Sequence, residues 1–388
     1  MNNPKTKLAI IGTVGVPARY GGFETLAHQL VENLHQEYQM TVYNSTKHYS
    51  SEERFSTWKG ANIKYIPISA NGIFSIPYDI LSMIHAALYC EALLILGVSG
   101  CLFLPIIKLF FPYKKIIVNV DGLEWRRAKW ASHAKLFLLM SEKIAIRCAD
   151  EIVADNAAIQ KYVFDRYGKV CRLIEYGADH NQAEAIQPVT LARFPFLKKD
   201  YAFKVARIEP ENNLHLILKA FAKQDRLPLV IIGNWKNSAY GRSLKNEFKA
   251  CSHLHLLDPI YEPSLLNQIR SNAKVYIHGH SEGGTNPSLV EAMYLGLPIL
   301  SFDIIYNKIT TENQAAYFES EATLAELIEK LDKLNLEQMS SQLSAVANRR
   351  YLWSVIANKY SALVTGATIM EIPTFDFELP IKLKRAIA

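Results

Sequence analysis

The sequence has few cysteines and little net charge. Its 388 residues include five cysteines, an odd number with no C-x-x-C pair. This argues against a disulfide scaffold or a zinc site and predicts a reduced, cytoplasmic protein, and no signal peptide is visible at the N-terminus. Lysine and arginine total 43 against 37 aspartate and glutamate, a surplus of six. Such a surplus does not require nucleic acid, although it suits an anionic substrate or membrane surface.

Long hydrophobic runs are also scarce, and only residues 92–111 approach the length that spans a bilayer. A spanning helix would have to place Pro105 and Lys108 near its centre, which is costly in lipid. We therefore predict a buried strand over 92–98 and then a short apolar helix, which could still dip into one leaflet.

Apolar runs and amphipathic stretches alternate along the chain. One series starts at residue 7, and a second starts at residue 201 after a connector near 187–195. Strand–helix alternation predicts parallel sheets covered on both faces. We predict two doubly wound α/β domains, residues 1–185 and 186–350, facing each other across a cleft. Residues 351–388 are predicted to form a helix and tail that pack back on the first domain.

The loop after the first apolar run contains two adjacent glycines, Gly21 and Gly22, directly before a predicted helix. It is neither the dinucleotide fingerprint nor a Walker loop. Paired glycines let the backbone approach a ligand, and the N–H groups at a helix start favour anions. The alternative is a tight turn with no ligand.

The loop over residues 278–293 is more specific. It follows a strand-like run and opens a helix, with Pro287 in the first turn. Glu291 follows one turn later, where its carboxylate could accept hydrogen bonds from ribose hydroxyls. The alternative is a capped helix start without a ligand. Backbone N–H groups and small polar side chains that could bind phosphate oxygens come from Gly283, Gly284, Thr285 and Asn286.

The segment 121–127 follows the apolar run 114–120 and therefore lies at the carboxyl end of a predicted strand. Asp121 could orient an acceptor hydroxyl or take its proton. Trp125 could stack on a sugar face, and Arg126 and Arg127 could contact a phosphate. The alternative is a helix cap at Asp121 with a basic helix behind it.

Two further features leave alternatives open. His278 and His280 would point the same way on a strand, but the chain offers no third ligand nearby and no D-x-D, so we predict no metal. Basic residues alternate with apolar ones over 126–147. This stretch is either a helix with a solvated basic face or an interfacial helix that docks on anionic lipid.

Four motifs in order resemble glycosyltransferase family 4, the retaining GT-B transferases. They are residues 18–25, 119–127, 206–213 and 278–293, and they are most similar to those of bacterial rhamnosyltransferases that build surface polysaccharides. The resemblance covers the chain from about residue 7 to about residue 353. It implies an acceptor-side first domain and a second domain that binds a nucleotide sugar.

The resemblance also implies roles for single residues. Gly21 and Gly22 match the glycine loop beside the donor diphosphate, Arg207 matches a cationic diphosphate ligand, and Glu291 matches the glutamate that holds the ribose. The sequence departs from the family in three ways. Eight residues rather than seven separate Glu282 from Glu291, Asn212 replaces a lysine, and Asp121 replaces a histidine.

The resemblance predicts transfer of a hexose, most simply L-rhamnose from dTDP-rhamnose, to a lipid-linked oligosaccharide, without metal or other cofactor. The predicted location is the cytoplasm, at the inner face of the plasma membrane. The alternatives are a UDP- or GDP-linked donor, or a binding subunit without catalysis. The predicted catalytic residues are Asp121, Glu282 and Arg207; the donor site adds Gly21, Gly22, Asn212, Gly283, Gly284, Thr285, Asn286 and Glu291; the acceptor side comprises Glu24, Glu124, Trp125 and Arg126.

Overall fold

Apolar runs of the first half form strands of one sheet in the computed structural model, which describes residues 4–19, 21–126 and 131–368. The strand order is β3-β4-β2-β1-β5-β6-β7-β8. Neighbouring strands are parallel, except that the short edge strand β3 runs antiparallel to β4. The strands are β1 (Lys7–Ile11), β2 (Gln39–Ser45), β3 (Thr57–Trp58), β4 (Ala61–Ile66), β5 (Ala92–Leu96), β6 (Lys115–Asn119), β7 (Glu151–Ala154) and β8 (Arg172–Leu173).

Helices connect these parallel strands and cover both faces of the sheet. Since such crossovers are right-handed, α1, which leads from β1 to β2, lies on one face. The crossovers toward β8 run in the opposite direction and place their helices on the other face. The helices are α1 (Gly22–Leu34), α2 (Ser75–Tyr89), α3 (Leu104–Phe110), α4 (Ser132–Cys148) and α5 (Ala157–Tyr167).

The apolar run 92–111 divides as predicted into the strand β5 and the short helix α3. Every residue of β5 is buried in the centre of the sheet, which explains its continuous hydrophobicity. Among the described residues, no helix is both long enough and apolar enough to cross a membrane.

The second apolar series forms a separate parallel sheet of order β11-β10-β9-β12-β13-β14. Its strands are β9 (Ala202–Val205), β10 (Leu229–Ile232), β11 (Leu254–Leu257), β12 (Val275–His278), β13 (Ile299–Phe302) and β14 (Ala316–Phe318). The associated helices are α6 (Pro188–Arg193), α7 (Leu214–Ala222), α8 (Ala239–Glu247), α9 (Pro263–Ser271), α10 (Pro287–Tyr294), α11 (Ile305–Thr311), α12 (Glu321–Glu329) and α13 (Leu336–Arg350).

Strand order changes direction once in each sheet, between β1 and β5 in the first and between β9 and β12 in the second. Open α/β sheets bind ligands beyond the carboxyl ends of strands at such points. The loops that follow β1, β5, β9 and β12 are therefore the positions where functional side chains are expected, and the loop after β6 belongs to the strand next to β5.

The last described helix, α14 (Trp353–Thr365), contacts α1 and β6, so it packs with the first sheet rather than the second. The chain divides into two compact units, 1–176 with 353–388 and 177–352. A hydrogen bond of 2.7 Å joins the hydroxyl of Tyr38, after α1, to Ser361 Oγ in α14. A buried ion pair joins Lys359 to Glu175 at 3.0 Å. Arg127 and the predicted tail over residues 369–388 lie outside the described residues.

Candidate functional site

The loop between β12 and α10 begins at a fully buried strand end and finishes at a capped helix. The Asn286 side chain accepts hydrogen bonds from the Ser288 N–H at 3.1 Å and from Ser288 Oγ at 2.8 Å, and Pro287 opens the helix. Gly283 has a φ of 93°, a conformation that favours glycine. The helix is thus capped, and its N-terminus has the polarity that attracts an anion.

The loops after β9 and β12 are tied together by Asn212. Its side chain donates to the Arg207 carbonyl oxygen at 2.9 Å, and its Oδ1 lies 3.2 Å from His280 Nδ1. A Cβ at Gly279 would lie 2.3 Å from the Asn212 carbonyl oxygen, so only glycine permits this approach. Asn212, a buried residue at the position where the resemblance implied a lysine, therefore joins the two loops.

Arg207 lies two residues after the end of β9 and carries a positive charge there. Its side chain is 44% exposed, and its Nε lies 3.8 Å from the Glu209 carboxylate, a long ion pair. A guanidinium this accessible can bind phosphate oxygens in two parallel hydrogen bonds. Glu282 lies half-buried in the neighbouring loop.

Glu291 lies in a buried polar cluster on α10 that sequence reasoning did not foresee. Arg270 of α9 donates to Glu291 Oε2 at 2.8 Å, and His180 Nε2 lies 3.5 Å from Oε1. Arg270 also donates to Asn267 Oδ1 at 2.7 Å and to Asn181. Burial alone would raise the pKa of Glu291, but the hydrogen bond from His180 and the charge of Arg270 outweigh it and hold this pKa below its ordinary value. The carboxylate is therefore ionised and fixed in orientation.

No sequence signal marked Arg270 or His180 as partners of Glu291. Arg270 is 21 residues from Glu291 and follows an ordinary amphipathic pattern in α9. His180 lies in the irregular segment after β8. Only the fold brings these elements together.

A buried lysine, Lys204, lies on β9 three residues before Arg207. Its Nζ donates to the Ile277 carbonyl oxygen at 3.4 Å. Burial lowers the pKa of Lys204 to about 7. Burial, and then the charge of Lys204, lowers the pKa of His278 well below its ordinary value. Titratable groups are thus packed beneath the loop that follows β12.

We expect Lys204 to make stability depend on pH. Its pKa is about 7 in the folded chain, whereas an unfolded lysine titrates near pH 10.4, at roughly the reference value. Below pH 7 the folded and unfolded states both bind the proton, so Lys204 does not change how the free energy of unfolding depends on pH. Above pH 7 only the unfolded state still binds it, so the free energy of unfolding rises by about 1.4 kcal/mol per pH unit. Urea unfolding from pH 7 to 9 measures this as the difference between the wild type and Lys204→Met, which lacks the titrating group.

The control for this experiment is Lys249→Met, which alters an exposed lysine of the same unit. Its unfolding free energy should run parallel to that of the wild type. A constant difference between the wild type and Lys204→Met over this pH range would contradict the prediction.

The described residues contain no group of three or more His, Cys, Asp or Glu side chains that could hold a metal ion. The rings of His278 and His280 are 6.3 Å apart, and His280 lies beyond the end of β12. The absence of a metal requirement stays a prediction.

In the first unit, the glycine loop after β1 is folded around Glu24. This carboxylate accepts hydrogen bonds from the Val14 N–H at 2.8 Å and from Thr13 Oγ1 at 3.3 Å. A Cβ at Gly21 would lie 2.0 Å from Glu24 Oε2, and the φ of Gly21 is 125°. Gly21 is therefore required by the loop itself, and Glu24 fixes the loop's shape at the start of α1.

Asp121, two residues after the end of β6, has a φ of 59°, which is uncommon for a residue other than glycine. Its N–H donates to Asn119 Oδ1 at 3.0 Å, and Asn119 Nδ2 donates to Tyr360 Oη at 2.8 Å. Asn119 and Tyr360 are both buried. The C-terminal helix α14 thus reaches the loop that carries the predicted catalytic carboxylate.

We expect Asn119→Ala to reduce the free energy of unfolding by about 1–3 kcal/mol, because it leaves the Asp121 N–H and the Tyr360 hydroxyl without this partner. Tyr360→Phe should cost less, since the Asn119–Asp121 hydrogen bond remains. Urea denaturation measures both changes. Unchanged stability of Asn119→Ala would show that this chain of hydrogen bonds does not hold the loop.

Trp125 packs within an aromatic group on α5. Its ring centroid lies 6.5 Å from that of Tyr162, and the Arg166 guanidinium lies 5.9 Å from the Trp125 centroid. Tyr162 and Tyr167 donate to the buried Glu142 of α4 at 2.7 and 2.6 Å. These contacts anchor the loop 121–126, in which Glu124 and Arg126 are half-buried.

The two halves of the chain match two different family models. Residues 192–350 match the family model "Glycosyl transferases group 1", and residues 5–179 match a "Domain of unknown function (DUF1972)". Among proteins of curated function, none matches the sequence.

Solved glycosyltransferase structures share the fold at low identity. Sucrose-phosphate synthase from Thermosynechococcus elongatus is 15% identical, with 93% of this chain and 99% of that chain covered and a TM-score of 0.77. HepE from Anabaena, in complex with UDP and glucose, is 12% identical, with 93% and 100% covered and a TM-score of 0.69. The catalytic domain of starch synthase IV from Arabidopsis thaliana, bound to ADP and acarbose, is 13% identical, with 94% and 99% covered and a TM-score of 0.68.

The chain therefore has the GT-B fold, with two parallel-sheet α/β domains, as the alternation of strands and helices predicted. More particularly, its residues 192–350 match the model of the group 1 glycosyltransferases.

Proposed function

We propose that the protein is a retaining glycosyltransferase of family 4. It moves L-rhamnose from dTDP-rhamnose to a hydroxyl of a lipid-linked oligosaccharide during surface polysaccharide synthesis, at the inner face of the plasma membrane. The group 1 domain supports sugar transfer, and the four motifs that resemble rhamnosyltransferases support the sugar and the acceptor.

The observation that carries this proposal is the half-exposed Arg207 beside the capped loop after β12. As the glycosidic bond to the nucleotide breaks, negative charge develops on the diphosphate. The Arg207 guanidinium and the N–H groups of Gly283 to Asn286 stabilise that charge, which is a large contribution when the donors are already in place. The ionised Glu291 accepts hydrogen bonds from the ribose hydroxyls.

Further residues of the glycine loops and of the loops after β9 and β12 complete the proposed donor site. Gly21 and Gly22 let the backbone approach the diphosphate, while Gly284 and Thr285 add to the phosphate-binding loop. Glu282 contacts the transferred sugar. Asn212 contributes by fixing the two loops rather than by adding charge.

On the acceptor side, Asp121 orients the attacking hydroxyl and accepts its proton or passes it to the departing phosphate. The acceptor attacks from the face that the nucleotide leaves, so the anomeric configuration is retained. Glu24 shapes the adjoining glycine loop, and Glu124, Trp125 and Arg126 border the acceptor position.

A UDP-linked donor is the second candidate, because the HepE structure of the same fold contains UDP and glucose. The two candidates differ in which donor the enzyme consumes. A third possibility, a subunit that binds donor without catalysis, is motivated by Asn212 in place of the family's lysine.

The decisive experiment incubates the purified protein with lipid-linked oligosaccharide and one donor at a time: dTDP-rhamnose, UDP-glucose, UDP-N-acetylglucosamine or GDP-mannose. Release of nucleotide diphosphate measures turnover, and nuclear magnetic resonance of the product gives its anomeric configuration. We expect turnover with dTDP-rhamnose, retention, and an unchanged rate after EDTA treatment. Turnover with UDP-glucose alone would favour the second candidate, and binding without turnover by any donor would refute the proposal.

A further inference from the structure

Large apolar side chains are exposed along the helices α2, α3 and α4 of the first unit and in the turn between α3 and β6. The most exposed are Tyr113, which is 98% exposed, and Leu109 and Phe110, at 74% and 70%. Such side chains scattered singly need no explanation, but a contiguous set marks a surface that contacts something apolar. We call this set the docking face; its members are Tyr89, Leu109, Phe110, Tyr113, Leu136 and Met140.

The helices that carry the docking face are neighbours. The connections β4–β5, β5–β6 and β6–β7 all cross the sheet in the same direction, so right-handed crossovers place α2, α3 and α4 side by side on one face. Lys114 donates to the carbonyl oxygen of Cys90, at the end of α2, at 2.7 Å. Lys108 of α3 pairs with Asp150, just after α4, at 2.6 Å. The exposed apolar residues therefore form one surface rather than three.

The exposed charges on these helices have one sign, while one exposed carboxylate, Glu91 after α2, lies beside Phe110 and Tyr113. Together α2, α3 and α4, all of whose residues the structure describes, contain two carboxylates, Asp79 and Glu142, and both are buried. On α4 the exposed residues Leu136, Met140, Lys143 and Arg147 follow one another at spacings of three or four, so they form a single stripe. The stripe is apolar in its first half and cationic in its second.

We propose that the docking face binds the surface of an anionic lipid bilayer. The apolar side chains enter the region between headgroups and acyl chains, while Lys143 and Arg147 contact anionic headgroups. The surface charge distinguishes this occupant from a neutral protein partner, because a positive rim is attracted to an anionic membrane. The proposal rests on the proposed function in one respect: a lipid-linked acceptor is presented at such a surface, and α4 begins shortly after the Asp121 loop.

The test is flotation of the full-length protein with extruded vesicles of phosphatidylcholine alone or with about 30 mol% phosphatidylglycerol, whose negative charge attracts basic side chains. We expect binding to the anionic vesicles that weakens as salt rises. Leu109→Ser combined with Phe110→Ser should weaken binding at least about tenfold, since each exposed apolar side chain that becomes buried contributes more than 1 kcal/mol. Lys143→Gln combined with Arg147→Gln should weaken it by a similar factor.

Matched controls come from the second unit. Val189→Ser combined with Tyr261→Ser removes two side chains that are 75% and 68% exposed. Lys198→Gln combined with Lys249→Gln removes two exposed cations. Neither control should change vesicle binding. The docking-face variants alter exposed side chains, and an unchanged melting temperature shows that they remain folded.

Three results would overturn the proposal. Wild-type binding by the Leu109/Phe110 variant would exclude the docking face, and equal binding to neutral vesicles would exclude the anionic surface. A dimer in light scattering that the same variant dissociates would show that a second copy of the chain covers the face instead. Vesicle binding needs no donor, and transfer to an acceptor analogue without lipid needs no membrane. Failure of docking and failure of the transferase proposal are therefore separate outcomes.

Discussion

Arg207→Ala lowers kcat/KM for sugar transfer by about 10²–10³, the loss typical when a preorganised donor to a developing charge is removed. Arg207 is the accessible cation at the end of β9, beside the loop predicted to bind phosphate. The diphosphate carries more charge in the transition state than in the bound donor, so kcat should fall more than KM rises. Steady-state kinetics with the preferred donor measures both parameters.

Two further variants sharpen this prediction. Arg207→Lys keeps a point charge but loses the two parallel N–H donors, so its activity should lie between that of the wild type and that of Arg207→Ala. Arg226→Ala removes another exposed arginine of the same unit, whose side chain is 58% exposed, and should leave the kinetics unchanged. Near-normal activity of Arg207→Ala would show that the diphosphate binds elsewhere.

Glu291→Ala should abolish detectable turnover and also destabilise the second unit. The change leaves Arg270 buried without its carboxylate partner, and breaking a buried pair in this way costs about 3–5 kcal/mol. The folded-state pKa of Glu291 lies below its ordinary value. Its contribution is therefore fully present above the unfolded-state pKa and is lost as pH falls through the folded-state pKa. Urea unfolding and donor-binding calorimetry measure the two effects separately.

A double variant distinguishes lost stability from lost binding. Arg270→Met combined with Glu291→Leu removes both charges and should regain part of the stability, because apolar residues often replace a buried ion pair without loss. It should not regain turnover, since the ribose still lacks its carboxylate. Glu326→Ala, which breaks an exposed i,i+4 pair with Lys330, should cost no more than about 1 kcal/mol. Recovered turnover in the double variant would show that Glu291 only supports the fold.

The sequence predicted the plan of the fold because parallel strands buried on both faces are apolar throughout. The continuous run at β5 is the clearest case, since it has bilayer-like hydrophobicity yet lies at the centre of a sheet. The antiparallel edge strand β3 went unpredicted. It consists of only two residues, Thr57 and Trp58, and a strand this short cannot show an alternating pattern in the sequence.

The sequence could predict the form of a loop where consecutive residues determine it, and the role of the loop in binding stays a prediction. The loop 279–286 combines adjacent glycines with a capping asparagine, and a proline then opens the helix. Each of these residues acts on its immediate neighbours in the chain, so the sequence alone reveals their effect. Asn212 was recognised as a departure from the family, but its role in joining two loops required the contact with His280. Trp125 was predicted to face a sugar, and this stays a prediction; in the structure its ring centroid lies 6.5 Å from that of Tyr162.

The sequence by itself thus determined the two-domain α/β plan and the positions of the glycine loops, because period, turn chemistry and capping depend on neighbouring residues. The tertiary structure decided which partners the functional groups have. Arg270 meets Glu291 across 21 residues, and Tyr360 meets Asn119 across 241. No local pattern encodes such pairs, since each depends on how whole helices and strands pack. The same holds for the docking face, whose residues become one surface only when three crossovers place their helices side by side.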